Sequence, residues 1–182
     1  MLVAKQKRKE NIAEYILYLY QIEDLIRAFR FDIQLIEEKL VAAYKTDKKT
    51  KAEISDWYSN LVAMMQKEQI TEKGHLQFLS NLIDDLNEFH LKLMQTGKSV
   101  QYVNVFQAIS GLLTELKQKN STARNDIHLA LDTIYGFLIL KMKRAEISAG
   151  TMEAIKRLGQ WLGSLSNLYK DYESGALDFE FR

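Results

Sequence analysis

The chain has 182 residues, 47% hydrophobic and 27% charged, which is ordinary for one globular domain. Lys and Arg number 25 against 24 Asp and Glu, and a net charge of +1 gives no overall pull toward nucleic acid, an anionic membrane or an acidic substrate. With no cysteine, disulfides, thiolate catalysis and Cys-based metal sites are excluded, and cytoplasm is the simplest address.

Proline is also absent, so helix breaks fall to Gly, Asn, Ser, Thr and charged clusters. The apolar period predicts seven helices, at about 8–30, 33–45, 51–68, 72–95, 100–118, 122–145 and 152–173. Short connections favour antiparallel neighbours, so the expected fold is an all-α antiparallel bundle over 1–175 with an extended tail at 176–182. Asp32, Thr50 with Glu53, and Thr71 followed by Glu72 read as helix starts, and Gly97, Gly150 and Gly175 as breaks.

The basic start, Lys5 to Lys9, precedes the run IAEYILYLY, but Glu14 interrupts it and no small-residue cleavage site follows, so it is not read as a secretory signal. The stretch 3-VAKQKRKENIAEYILYLYQIEDLIRA-28 resembles the opening of a family of uncharacterised bacterial proteins of similar length, classed as a domain of unknown function. The resemblance implies a bacterial helical domain and carries over no catalytic residue. Further along the first helix, Glu23 falls inside the apolar arc of Ile12, Ile16, Leu19 and Ile26. A carboxylate there needs a cationic or hydrogen-bonding partner, a proton, or a wet pocket.

The fourth segment puts His75 and His90 on its apolar side, about 22 Å apart along a continuous helix, too far to share a metal. Glu72 and His75 have the Glu-x-x-His spacing of di-iron bundles, but no second copy accompanies them, so no metal or cofactor is expected. Tyr102, Val105, Phe106, Ile109, Leu112, Leu113 and Leu116 form one apolar stripe on the fifth segment.

The sixth segment carries Arg124, His128 and Asp132 at successive four-residue steps. Asp132 could orient His128 and leave its other nitrogen for acid–base work, with Arg124 near an anionic group. The segment RNDIH resembles the arginine-to-histidine motif of the HEPN helical nucleases, with a shorter spacing between its Arg and His. The plainer reading is a salt-bridged surface stripe. The run 129-LALDTIYGFLIL-140 is too short for a membrane span and contains Asp132.

In the seventh segment Gly159 and Gly163 form a small ridge that would admit a close neighbouring helix. Beyond it, Leu177, Phe179 and Phe181 alternate with charged residues and are expected to dock on their own helices, a second copy or a partner. The basic clusters, Lys5 to Lys9 among them, lack interleaved aromatics in sequence and read as solvated helix ends, so no nucleic-acid partner is expected. The leading functional expectation is a non-enzymatic protein-interaction module, with a homodimer as one form. The alternatives are a hydrolase or ribonuclease using Arg124, His128 and Asp132, and a small-ligand or metal site near Glu23.

Overall fold

The structure is a computed structural model describing residues 2–119 and 122–179. Among the described residues there are eight α-helices and no strand: α1 Leu2–Glu10, α2 Ile12–Ala28, α3 Ile33–Ile36, α4 Lys48–Lys67, α5 Gln77–Thr96, α6 Val100–Lys119, α7 Asp126–Met142 and α8 Ala149–Glu173. The all-α bundle follows from the helical period, as expected.

The boundaries differ where a cap outweighs the apolar pattern. The first predicted helix is two, because Asn11 takes extended geometry and its side chain accepts the Glu14 N–H at 3.1 Å. Asp32 caps α3 by accepting the Gln34 and Leu35 N–H groups. That helix is one turn, continued by a π turn over Glu37–Val41. Asp47, three residues before Thr50, is the cap of α4 and accepts both the backbone N–H and the hydroxyl of Thr50 at 2.9 Å. Thr71 and Glu72 start nothing: residues 71–76 are irregular and α5 begins at Gln77. Gly97 and Gly175 sit at positive φ after their helices, whereas Gly150 lies inside the first turn of α8, which Ser148 caps.

The core is a single cluster of buried side chains drawn from α2, α4, α5, α6, α7 and α8, with Trp161, Tyr20, Tyr58 and Tyr102 its largest fully buried members. α8 is the central element and packs on α1, α2, α5, α6 and α7. The Gly159–Gly163 ridge does not receive a helix of this chain, since a Cβ at either position would meet nothing within 4 Å. No helix among the described residues is long and apolar enough to cross a membrane.

Residues Leu177 and Phe179 fold back onto their own chain. Phe179 packs against Phe89 and Tyr172, with ring centroids 5.7 and 5.6 Å away, and Asp178 lies 3.7 Å from Lys98. Both side chains pack against the core of their own chain, and Phe181 lies outside the described residues.

Candidate functional site

The polar residues singled out by position converge on one side of the bundle, where α2, the start of α5 and the start of α7 meet. Glu23 is 1% exposed, as its place in the apolar arc of α2 requires. Its Oε1 accepts the Leu76 N–H at 2.9 Å and its Oε2 accepts Nδ1–H of His75 at 2.5 Å. One turn on, Arg27 donates to the carbonyls of Ile70 and Gly74 and pairs with Asp24 at 2.9 Å. The acid and the base of α2 thus fasten the irregular connection between α4 and α5, whose backbone groups have no helix to satisfy them. His75 precedes α5, so the helical geometry of a Glu-x-x-His metal element is not formed by Glu72 and His75. No group of three or more His, Asp or Glu among the described residues is placed to hold a metal ion.

The ring of His75 stacks on Tyr20, centroids 3.5 Å apart, and Tyr20 meets Tyr135 edge-on at 5.4 Å. Tyr135 donates to Asp24 at 2.5 Å, which ties α7 to α2. The Tyr20 hydroxyl is buried and has no hydrogen-bond partner among the described residues. Burial, then the carboxylates of Asp132 and Glu23, push that phenol well above the ordinary range.

The stripe on α7 is built as a helix start. Asn125 caps α7 by accepting the His128 N–H at 2.8 Å, and His128 reaches back so that its Nδ1 accepts the Arg124 N–H at 3.2 Å. This is a variant of the reciprocal capping box, with an imidazole in the place of Glu or Gln. Since Nδ1 accepts, the proton sits on Nε2, which stands 3.4 Å from Asp132 Oδ2. Nδ1 thus serves the start of α7, and Nε2 faces the Asp132 carboxylate. Arg124 turns to Asp84, 3.2 Å away on α5. Burial depresses the His128 imidazole and raises the Asp132 carboxyl, and each feels the charge of His75, so the two histidines share one electrostatic neighbourhood.

His90 lies apart from this cluster and is 3% exposed. Tyr102 accepts from the Trp161 indole at 3.0 Å and donates to His90 Nδ1 at 2.6 Å, a buried triad spanning α5, α6 and α8. Burial keeps His90 below the ordinary histidine range.

A model of one protein family matches residues 1–176, nearly the whole chain. The chain belongs to the family described as Domain of unknown function (DUF4924). No curated protein and no solved structure matches it. Membership in DUF4924 therefore agrees with the resemblance at α1 and α2 and assigns no role to any side chain.

Sequence reading did not find Tyr20, Arg27 and Tyr135 as members of the polar cluster, though Arg27 stands four residues from Glu23 on α2 and was within reach of a spacing argument. It also did not find a groove beside the cluster, where Leu25 of α2 faces Tyr135, Ile139 and Met142 of α7. The groove has a volume of about 470 Å³, and Asp24 and Lys143 are also in its lining. Met142 is 65% exposed and Leu25 38%. The run 134-IYGFLIL-140 is apolar around most of the helix, yet of these residues only Ile134 is buried. A helix of that composition is usually enclosed.

Proposed function

We propose that the protein is a non-enzymatic helical interaction module that pairs with a second copy of itself through the α2–α7 groove. The carrying observation is an apolar groove lined by Leu25, Tyr135, Ile139 and Met142, in which Met142 and Leu25 stay exposed. A two-fold arrangement would cover both grooves at once, each Met142 packing against the other copy's apolar lining, the reciprocity an isologous contact requires. The hydrolytic alternative has less support, because His128 Nδ1 serves the start of α7 and Arg124 turns to Asp84. The absence of cysteine fits a reducing compartment, such as a bacterial cytoplasm.

The chain's lack of cysteine makes the test specific. Met142→Cys introduces the only thiol, and a short thiol-to-thiol cross-linker is expected to give a covalent dimer at low protein concentration. Leu91→Cys, at an exposed position on α5, is expected to remain monomeric under the same treatment. Equal cross-linking of both variants, or of neither, contradicts the reading.

A further inference from the structure

A second cleft lies away from the polar cluster, where α1, the start of α2, α4 and the end of α8 come together. It has a volume of about 570 Å³, within the range of small-molecule sites, and Lys5, Arg8, Lys9 and Lys170 surround Tyr15 and Trp57. Glu173 is the one carboxylate in its lining, and it is occupied in a bidentate pair with Arg8, at 2.6 and 2.9 Å. That pair fixes α1 against α8 and leaves the cleft cationic. Lys5, Lys9 and Lys170 are exposed and form no ion pair among the described residues.

The basic run of α1 has no aromatic beside it in sequence, and the fold supplies two from elsewhere. Tyr15 comes from α2 and Trp57 from α4, both half-buried, with Trp57 braced edge-on by Tyr58 at 5.0 Å. A cleft of one charge sign with apolar walls concentrates its field, so an anion gains more there than the net charge of +1 suggests. Ammonium groups suit phosphate as mobile point charges, and an indole or phenol face suits a planar ring. A nucleotide carries both a phosphate and a flat aromatic ring.

We propose that this cleft binds a nucleotide, with its phosphate held among Lys5, Lys9 and Lys170 and its base against Trp57 and Tyr15. The chemistry is the same for a free nucleotide and for one unit of a single strand. The site is separate from the α2–α7 groove, and its occupancy does not depend on self-association.

Fluorescence of the full chain is the natural readout, because the second tryptophan, Trp161, is fully buried and out of reach of a ligand. Adenosine monophosphate and a short single-stranded RNA are titrated separately at low salt. Saturable quenching with a sub-millimolar Kd is expected for at least one, lost from the signal in Trp57→Phe. Lys5→Glu combined with Lys170→Glu is expected to weaken binding at least about tenfold, as loss of roughly 1.4 kcal/mol would. Lys48→Glu with Lys49→Glu makes the same change in net charge outside the lining of the cleft, at the start of α4, and is expected to weaken binding clearly less. Binding of the mononucleotide identifies a free nucleotide, and binding of the oligonucleotide alone identifies a single strand. No saturable binding of either probe overturns the proposal, as does equal weakening by the two charge-reversed pairs when circular dichroism shows both folded.

Discussion

The Nδ1 of His75 lies 2.5 Å from the Oε2 of Glu23, and through this bond the buried middle of α2 holds the connection that precedes α5. Glu23→Gln can still accept the Leu76 N–H and bond the imidazole, whereas Glu23→Leu leaves both groups without their partner. Urea unfolding is expected to show a loss of about 1 kcal/mol for Gln and about 3 kcal/mol or more for Leu. A Leu variant as stable as wild type would mean the pair contributes nothing net.

Two buried phenols offer a matched comparison. The Tyr102 hydroxyl serves Trp161 and His90, and Tyr102→Phe strands both, at an expected cost of about 2–4 kcal/mol. The Tyr20 hydroxyl has no partner among the described residues, so Tyr20→Phe is expected to fall within about 1 kcal/mol of wild type, on the stabilising side. The reverse order in thermal unfolding would show that the Tyr20 hydroxyl is bonded in solution.

Acid should weaken the fold through its neutral histidines. Burial lowers the folded-state values of His90 and His128, so below the ordinary value of about 6.5 the unfolded chain takes up protons that the folded chain refuses. Stability is therefore complete above that pH, declines as pH falls through it, and levels off below the folded-state values. Asp132, raised by burial, works in the opposite sense at lower pH, because its neutral form is the one favoured in the fold. Unfolding free energy measured from pH 7.5 to 5 is expected to slope downward, less steeply in His90→Gln. An identical slope in the variant would contradict the assignment to His90.

How much of this was legible in the sequence depends on the range of the interaction. Local signals carried the helices: the stripe from Tyr102 to Leu116 does face the core, with Tyr102, Ile109 and Leu113 fully buried. Where reading failed, a short-range bond had been assigned to the wrong partner. Asn11 breaks a run that looks continuous, and His128 bonds back to the Arg124 N–H at the start of α7, a contact the four-residue spacing does not reveal. Glu23 was identifiable as a misplaced charge, but its partner His75 lies 52 residues away on an irregular segment, and only tertiary packing joins them. The same holds for Trp57 beside Lys5, and for Leu25 beside Met142.

Sedimentation equilibrium of the full chain across a concentration series decides whether the protein pairs with itself. A mass approaching twice the 21.2 kDa of the chain is expected, reverting to the monomer in Met142→Glu, which would bury an unpaired carboxylate against the second copy. A 21.2 kDa species at every concentration, or a dimer that Met142→Glu leaves intact, would contradict the proposed pairing.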